Sequence, residues 1–277
     1  MYYMKVSIIG LGFVGGSMHK SFMEKNINVF VYDKYKNIGT LEECLDSDIM
    51  FLCLPTQYNE SSKSYDLEPI HETCTLLSLL HYKGVVVLKS TLVPNTTMSL
   101  SKKYELLKLI HNPEFLTAKT AYEDFHNQKH IVLGEVSKDG SNIVENFYKK
   151  FYPNAEISIC TSTESESMKL FCNSFYSIKV QFFNELFLLC NSLNCDYNTI
   201  KDLMIKNNWI NPMHTNVPGT DGKLSYGGYC FPKDTNALLE CMKSNNSRHK
   251  ILEASIHERN EMRDDNENIQ HVMKETH

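Results

Sequence analysis

The chain has 277 residues, of which 42% are hydrophobic and 22% are charged, a composition typical of a folded globular protein. Lys and Arg number 28 against 33 Asp and Glu, for a formal net charge of −5, and no basic run is present, so nucleic acid is not expected as the main partner. No apolar stretch approaches the roughly 20 residues that span a bilayer, so no membrane partner is expected. The composition predicts a cytoplasmic enzyme or binding protein.

Through the first half of the chain, short runs rich in Val and Ile alternate with helical segments. Continuous apolar runs of this kind are typical of a parallel sheet that is covered on both faces. The predicted strands are Lys5–Ile9, Asn28–Tyr32, Ile49–Leu54, Val85–Lys89, His130–Leu133 and a closing Ala155–Cys160. The predicted fold class is therefore α/β, with a Rossmann-like, doubly wound parallel sheet over residues 1–160.

Residues 161–277 have a helical pattern and form the second predicted domain. From Glu164 to about Leu193, apolar residues recur every three or four positions, which predicts one linking helix of about 30 residues. Shorter helices are predicted at Asn198–Lys206, Asn236–Lys243 and Lys250–Asp264, with a Pro- and Gly-rich loop at Asn211–Lys233. The stripe Phe171–Leu189 is unusually apolar, which favours a homodimer formed through this domain, although core packing is an alternative.

A glycine motif directly follows the first predicted strand. Gly10-Leu-Gly12-Phe-Val-Gly15 opens a helix, and Asp33 ends the next strand 18 positions after Gly15. Such glycines allow a tight turn, approach of a pyrophosphate to the backbone, and close packing of the helix on the strand. The acidic residue can accept the ribose hydroxyls, so the motif predicts NAD in preference to NADP. The alternative is a glycine-rich turn that binds nothing.

The nine cysteines are an odd number and contain no Cys-x-x-Cys pair, so neither a disulfide framework nor a metal site is predicted. Cys230 differs from the others because it lies in the segment Tyr226-Gly-Gly-Tyr-Cys230-Phe-Pro-Lys-Asp234, a predicted loop that leads toward a helix. The two glycines permit close approach of a ligand, and a thiol near helix-terminal amides or a cation is a good nucleophile. A buried structural cysteine in a tight turn is the alternative.

Several polar residues are informative only in combination. Lys169 and Asn173 lie one turn apart on the long predicted helix and share a face with Glu166, where isolated charges are usually solvated. Glu114 follows Asn112-Pro113, where a carboxylate is usually a turn residue.

Six segments occur together in one order along nearly the whole chain. They are GlyLeuGlyPheValGly (10–15), LeuProThr (54–56), LysSerThr (89–91), AsnProGluPheLeu (112–116), the helix over 169–185, and GlyGlyTyrCysPheProLysAsp (227–234). Together these segments closely resemble the UDP-glucose/GDP-mannose dehydrogenase family, and most of all its members that act on UDP-glucose.

The resemblance implies a four-electron oxidation of the C6 alcohol of UDP-glucose to the carboxylate of UDP-glucuronate, with NAD and without release of free aldehyde. Cys230 would add to the aldehyde, and Lys169 and Asn173 would stabilise the oxyanion. Asp234, with Thr91, would position a water molecule, and Glu114 would act as a general base.

The resemblance also implies the residues that bind the cofactor and the substrate. Leu54–Thr56 and Lys89–Thr91 would line the nicotinamide side. The predicted cofactor-binding residues are Gly10, Gly12, Phe13, Val14, Gly15, Asp33, Leu54, Pro55, Thr56, Ser90 and Thr91. The predicted substrate-binding residues are Glu114, Phe115, Leu116, Lys169, Asn173, Tyr226, Gly227 and Gly228.

Two departures from the family pattern affect the expected substrate affinity. The sequence stops at His277, soon after Asn260-Glu261, so we expect no C-terminal domain of the kind that holds the nucleotide diphosphate, unless a separate polypeptide supplies it. Leu224-Ser225 stands where a basic residue and a glycine are expected. The alternatives are a dehydrogenase of another nucleotide sugar, such as GDP-mannose, and a non-catalytic NAD-binding or interaction protein.

Overall fold

A computed structural model describes residues 4–117 and 119–263. The chain divides into two compact units, and the division falls inside a long helix, between Lys169 and Leu170. The first unit contains the residues up to Asn59 together with Tyr65–Lys169, and the second contains Glu60–Ser64 and the chain from Leu170 onward. Within the described residues, no helix is both long enough and apolar enough to cross a membrane.

The first half of the chain carries the strands. They are β1 (Val6–Ile9), β2 (Val29–Tyr32), β3 (Ile49–Leu52), β4 (Tyr58–Asn59), β5 (Ser64–Tyr65), β6 (Val85–Leu88), β7 (Lys108–His111), β8 (His130–Glu135) and β9 (Glu156–Thr161). The helices that accompany them are α1 (Phe13–Glu24), α2 (Leu41–Cys44), α3 (Glu68–Leu79), α4 (Thr96–Lys103), α5 (Ala121–His126), α6 (Lys138–Phe151) and the long α7 (Ser162–Ser192).

Seven of these strands form one sheet in the order β2-β1-β3-β6-β7-β8-β9. The pairs from β2 to β7 are parallel, whereas β8 pairs antiparallel with β7 and parallel with β9. The predicted Rossmann-like α/β sheet is thus confirmed, with the difference that the last two strands run opposite to the other five. The sequence did not predict β7, a short strand that begins with an exposed lysine.

Successive residues of the central strands enter two hydrophobic cores, one on each face of the sheet. In β3, Ile49 and Phe51 belong to one core, and Met50 and Leu52 belong to the other. The same alternation holds in β6. Because side chains alternate across a strand, both sets are buried only if helices cover both faces. This double burial explains why the strands read as continuous apolar runs.

The second unit is helical and contains the rest of α7 with α8 (Tyr197–Ile205), α9 (Cys230–Ser244) and α10 (Lys250–Met262). The predicted helices are confirmed, and Asp264, the predicted end of α10, lies outside the described residues. One boundary was wrong, because α9 begins at Cys230 rather than at Asn236, and the preceding loop therefore ends at Tyr229. Pro232 lies in the first turn of α9, where its missing N–H has no intrahelical partner to lose.

Candidate active site

The predicted cofactor residues follow the carboxyl ends of four adjacent strands. Gly10 comes directly after β1 and Asp33 directly after β2, while the segments 54–56 and 89–91 follow β3 and β6. These strands are neighbours in the order β2-β1-β3-β6. In open α/β sheets, ligands bind outside the carboxyl ends of the strands, so this edge of the first unit is the expected dinucleotide site.

The turn between β1 and α1 has the geometry that its glycines permit. Gly10 adopts a φ of +88°, and a Cβ built there would lie 2.7 Å from the carbonyl oxygen of Cys53. A Cβ on Gly15 would lie 1.9 Å from the carbonyl oxygen of Gly10, so only glycine allows α1 to pack this closely on the turn. At Gly12 nothing lies within 4 Å of the Cβ position, which leaves open space beside the start of α1. These residues fit a pyrophosphate bound at a helix N-terminus.

Asp33 is buried and fixes the backbone around this turn. One carboxylate oxygen accepts from the backbone N–H of Leu11 at 2.7 Å, and the other accepts from the N–H groups of Tyr35 and Lys36 at 3.0 Å each. An ionised carboxylate has about four lone-pair sites, so these three bonds leave capacity for a ribose hydroxyl. Asp33 therefore both shapes the turn and places a negative charge beside it.

Hydrogen bonds join the segments that follow β3 and β6. The Ser90 hydroxyl donates to the carbonyl oxygen of Leu54 at 2.6 Å, and the Thr56 hydroxyl donates to the carbonyl oxygen of Thr91 at 2.9 Å. Pro55 lies between them and is exposed. The structure thus brings the predicted nicotinamide-side residues together. In α1, Phe13 is exposed and Val14 packs against the core.

Lys169 and Glu114, both in the first unit, form a nearly buried pair. The Lys169 ammonium donates to the backbone carbonyl of Glu114 at 2.6 Å and lies 3.2 Å from its Oε1. The other carboxylate oxygen accepts from the N–H of Leu116 at 2.6 Å, and the ring of Phe115 lies 5.5 Å from the ammonium. An ammonium has three donors, and Glu114 takes two of them, which leaves one for a substrate oxygen.

Glu166 is buried rather than solvated, which corrects the expectation for a lone charge on the helix. Its Oε1 accepts from the N–H of Thr97 at 2.7 Å and from its hydroxyl at 2.6 Å. Burial raises the pKa of the carboxyl above its ordinary value. Since Thr97 lies in the first turn of α4, Glu166 places a carboxylate at a helix N-terminus, where the helix dipole stabilises it.

His111 is a fully buried imidazole at the end of β7. Its Nδ1 lies 2.8 Å from the Ser165 hydroxyl and its Nε2 lies 3.3 Å from the carbonyl oxygen of Ser90. Burial lowers the pKa of His111 to about 3. The folded protein therefore holds this imidazole neutral between about pH 3 and pH 6.5, whereas the unfolded chain binds a proton there.

This difference in proton binding predicts acid sensitivity. Because the pKa of His111 is lower in the folded protein than in the unfolded chain, the free energy of unfolding falls as the pH drops below about 6.5. Between pH 6.5 and pH 4.5, we expect the free energy of unfolding to fall by about 2 kcal/mol more in the wild-type protein than in the His111→Gln variant. Urea denaturation at several pH values measures the difference, with His257→Gln on α10 as the control for removing an exposed histidine. Parallel stability curves for wild type and His111→Gln would contradict the expectation.

In the second unit, Asn173 and Asp234 are in direct contact. The side-chain N–H of Asn173 donates to Asp234 Oδ2 at 2.6 Å, and the Lys233 ammonium donates to Oδ1 at 2.5 Å. The Asp234 side chain is fully buried, and Asn173 is nearly so. An amide has two N–H donors, so the bond to Asp234 orients Asn173 and leaves the second donor for a ligand.

Cys230 is the first residue of α9 and the only exposed residue among the nine cysteines, all of which lie in the described part of the chain. It precedes Asp234 by one helical turn, so the thiol and the carboxylate lie on the same face of α9. Backbone N–H groups in the first turn of a helix have no intrahelical acceptor, and the helix dipole favours negative charge there. The position suits a thiolate or an oxyanion.

The segment before Cys230 is fixed by two buried arginines of the second unit. Arg259 Nε donates to the carbonyl oxygen of Tyr226 at 3.2 Å, and Arg263 Nη1 donates to the carbonyl oxygen of Leu224 at 3.1 Å. The Tyr226 side chain is itself buried. Gly228 has a φ of +75°, and nothing lies within 4 Å of its Cβ position, so its backbone faces open space. The accessible part of the predicted sugar-binding segment is therefore backbone.

Sequence reasoning gave no individual role to several residues of these clusters. They are Lys89, His111, Asn112, Tyr148, Lys233, Arg259 and Arg263. Tyr148 carries the apolar periodicity of α6, which marks burial but not its hydrogen bond. Except for Lys233, which contacts the adjacent Asp234, the polar partners of these residues lie far away in the sequence. LysSerThr and ProLysAsp were noted as motifs, which was the available signal for Lys89 and Lys233.

The fold and the turn after β1 are those of a dinucleotide-binding protein. Two domain models of one family match the chain: the NAD binding domain of the UDP-glucose/GDP-mannose dehydrogenase family over residues 39–152, and the central domain of that family over residues 163–261. The chain therefore belongs to the UDP-glucose/GDP-mannose dehydrogenase family, whose members are NAD-dependent nucleotide-sugar dehydrogenases. Its cofactor is NAD.

Individual relatives agree with this assignment. The chain is 27% identical over 269 residues to a UDP-glucose 6-dehydrogenase of Campylobacter jejuni, covering 85% of this chain and 67% of the relative. It is 32% identical over 222 residues to that of Rickettsia bellii, covering 78% of this chain and 50% of the relative. A solved UDP-glucose dehydrogenase from Pyrobaculum islandicum shares the fold, with a TM-score of 0.81 and 23% identity, over 93% of this chain and 68% of that one. The chain thus spans half to two thirds of these relatives' lengths.

Proposed function

We propose that this protein oxidises the C6 alcohol of UDP-glucose to the carboxylate of UDP-glucuronate. The reaction consumes two NAD and one water for each sugar and releases two NADH and three protons. NAD, when bound, accepts a hydride in each oxidation. Residues 1–160 would supply the cofactor site and residues 161–277 the thiol. The family, and the UDP-glucose enzymes of Campylobacter jejuni and Rickettsia bellii among its relatives, support this substrate, and GDP-mannose is the alternative within the family.

The observation that carries the proposal is the exposed Cys230 at the start of α9, one turn from the buried Asn173–Asp234 pair. Oxidation of an alcohol to an aldehyde needs no thiol. Oxidation beyond the aldehyde is easier when a nucleophile first adds to the carbonyl carbon, because the adduct again carries a hydrogen that can leave as hydride. An accessible thiol at a helix N-terminus is suited to that task.

In the proposed sequence, the Cys230 sulfur bonds to the C6 carbonyl carbon and the carbonyl oxygen becomes an oxyanion. Lys169 and Asn173 each have a donor left for that oxygen and are held by buried partners, so they need little reorganisation. Loss of hydride converts the thiohemiacetal into a thioester. Water then attacks the thioester carbon and the carbon–sulfur bond breaks, which returns the thiol and gives the carboxylate.

The remaining roles concern protons. Glu114 would accept a proton from the attacking water as a general base. Asp234 and Thr91 would orient a water molecule during the proton-transfer steps. Glu114 already contacts Lys169, and Asp234 contacts Asn173, so each carboxylate also orients an oxyanion donor. The contacts support these roles, and substitution tests each of them.

The direct test follows NADH formation with UDP-glucose, UDP-galactose and GDP-mannose in parallel, together with quantification of the uronate. We expect turnover with UDP-glucose and a ratio of two NADH for each uronate formed. Turnover with GDP-mannose alone would overturn the assigned sugar, and one NADH per sugar would overturn the four-electron reaction. Measurable NAD binding without turnover of any nucleotide sugar would favour a non-catalytic protein.

Cofactor preference gives a prediction that requires no turnover. The Asp33 carboxylate at the end of β2 would repel the 2′-phosphate of NADP, because both groups are anionic. We expect NADP to bind at least about 10-fold more weakly than NAD, the effect of roughly 1.4 kcal/mol of repulsion. Calorimetric titration of each dinucleotide measures the ratio, and Asp33→Asn should narrow it. Equal affinities in the wild-type protein would argue against this role of Asp33.

One face of α7 in the second unit carries a stripe of exposed apolar side chains. At 3.6 residues per turn, its members lie within about 40° of one another around the helix axis. They are Phe171, Phe175, Phe182, Leu189 and Leu193. Exposed apolar patches of this kind usually mark interfaces. We propose that a second copy of the chain covers this stripe and forms a homodimer.

The stripe predicts a charge-sensitive association. Phe182→Glu should shift the protein from dimer to monomer at micromolar concentration, because the interface would then bury an unpaired carboxylate. Sedimentation velocity at several concentrations measures the shift. Asn191→Glu lies about 180° around α7 from Phe182 and serves as the matched control. A wild-type protein that is only monomeric at these concentrations would remove the proposal.

A further inference from the structure

Lys89 is a buried lysine at the carboxyl end of β6, in the first unit. Its side chain is almost completely inaccessible. Lysine is rarely buried without partners, because removing an ammonium from water costs several kcal/mol. Its ammonium donates to Asn112 Oδ1 at 2.9 Å and lies 3.4 Å from the carbonyl oxygen of Pro113. Lys89 therefore points into the turn after β7.

The Asn112 side chain makes bonds at both ends. Its Oδ1 accepts from the Tyr148 hydroxyl at 2.6 Å as well as from Lys89, and its Nδ2 donates to the carbonyl oxygen of Val132 in β8 at 2.8 Å. Tyr148 and Lys89 thus approach one amide oxygen from α6 and from β6. A buried polar network that is satisfied in this way holds a single geometry.

The same turn holds the ammonium of Lys169. The carbonyl oxygen of Glu114 accepts from Lys169 at 2.6 Å, and this carbonyl lies one residue beyond the Pro113 carbonyl that Lys89 approaches. A displacement of the turn would therefore move the oxygen that orients Lys169. The contacts run from Lys89 through the backbone of residues 112–114 to Lys169, all within the first unit.

The titratable groups around Lys89 come from several elements. Cys53 follows β3, Glu114 follows β7, and Lys169 lies on α7, and each interacts electrostatically with the Lys89 ammonium. His111 at the end of β7 also faces it. Burial lowers the pKa of Lys89 to about 8. The bond to Asn112 and the contact with the Pro113 carbonyl offset part of the free energy that burying this ammonium costs.

We propose that Lys89 is a positioning residue that fixes the turn at residues 112–114 and, through it, the ammonium of Lys169. This role rests on the proposed function, in which Lys169 stabilises the oxyanion. The side chain of Lys89 is directed at Asn112 and Pro113. Lys89 thereby acts on the reaction without contacting the sugar.

The test compares Lys89→Met with wild type and with Lys108→Met, an exposed lysine on the paired strand β7 that serves as the matched control. We expect Lys89→Met to lower kcat by about 10-fold to 100-fold, the effect of a small misplacement of a catalytic group. The KM for NAD should change by less than about twofold, because the Lys89 ammonium bonds to Asn112 and approaches the carbonyl oxygen of Pro113 rather than bonding to the turn after β1. An effect on KM alone would overturn the proposal.

A second measurement needs no turnover. Pulse labelling with acetic anhydride, followed by mass spectrometry, reports how accessible the Lys169 amine is. We expect labelling of Lys169 to become several-fold faster in Lys89→Met and to stay unchanged in Lys108→Met. If Lys89→Met does not fold, Lys89→Gln provides the same comparison, since it removes the charge and shortens the side chain.

The two measurements separate the possible failures. If wild-type protein turns over no nucleotide sugar, the proposed function fails, and the labelling still decides whether Lys89 positions Lys169. A folded Lys89 variant with wild-type kcat and wild-type labelling of Lys169 would overturn the role of Lys89 while leaving the proposed function standing.

Discussion

Replacing Cys230 with alanine is expected to abolish uronate formation. Without the sulfur no thioester forms, so the second hydride cannot leave by the proposed route, and no more than one NADH per sugar should appear. NAD affinity should stay within about twofold of wild type, because the cofactor turn lies in the other unit of the chain. Quantification of NADH and uronate in the same reaction, with calorimetric titration of NAD, measures both effects.

Cys241→Ala is the matched control, because Cys241 lies on the same helix α9 and is half-buried. It should retain both the rate and the ratio of two NADH per uronate. An aldehyde-trapping reagent added to Cys230→Ala reports whether the first oxidation still occurs. Uronate formation by Cys230→Ala at the wild-type rate would show that another group is the nucleophile.

Replacing Lys169 with alanine is expected to lower kcat by roughly 10²-fold to 10³-fold, the size found when one oxyanion donor is lost. The loss should fall on kcat more than on the KM for the sugar, because the donor acts on charge that develops during the reaction. Steady-state kinetics separates the two parameters. Lys179→Ala, on the same helix, removes an ammonium that donates to the carbonyl of Asn211 and is the control.

Stability must be separated from catalysis at this position. Lys169 and Glu114 are both nearly buried, so removing the lysine leaves a carboxylate without its cation, which is strongly destabilising. The double variant Lys169→Ala/Glu114→Gln removes that unpaired charge. It should unfold at a higher temperature than Lys169→Ala, and its kcat should stay well below that of Glu114→Gln alone, the reference needed because Glu114 is itself a proposed general base. A double variant that regains wild-type kcat would assign the effect of Lys169→Ala to folding rather than to the oxyanion.

Local sequence signals predicted most of the framework. The Val- and Ile-rich strands, the glycine turn and the long helix α7 each depend on residues close together in the chain, and the structure confirms them. Such signals did not predict the direction of the last two strands. The antiparallel pairing of β8 with β7 depends on the path of the segment that connects them, which local periodicity does not describe.

The clusters around the site were harder to predict because their contacts are distant in sequence. Glu166 reads as a solvated charge on a helix, and it is buried because Thr97 in α4, far earlier in the chain, donates two hydrogen bonds to it. Tyr226 reads as an accessible neighbour of two glycines, and it is buried against Arg259 of α10. The start of α9 at Cys230 was missed because Pro232 resembles a loop residue.

Because α7 is one continuous helix, insertions and deletions within it should be poorly tolerated. Lys169 and Asn173 are spaced by helix geometry alone, and each is fixed by its own partners, Glu114 and Asp234. Inserting one residue between them would rotate one part of the helix relative to the other by about 100° and advance it by about 1.5 Å, so Lys169 and Asn173 would no longer share a face of α7. Insertions and deletions should therefore be purged from this segment while point substitutions on its exposed face accumulate.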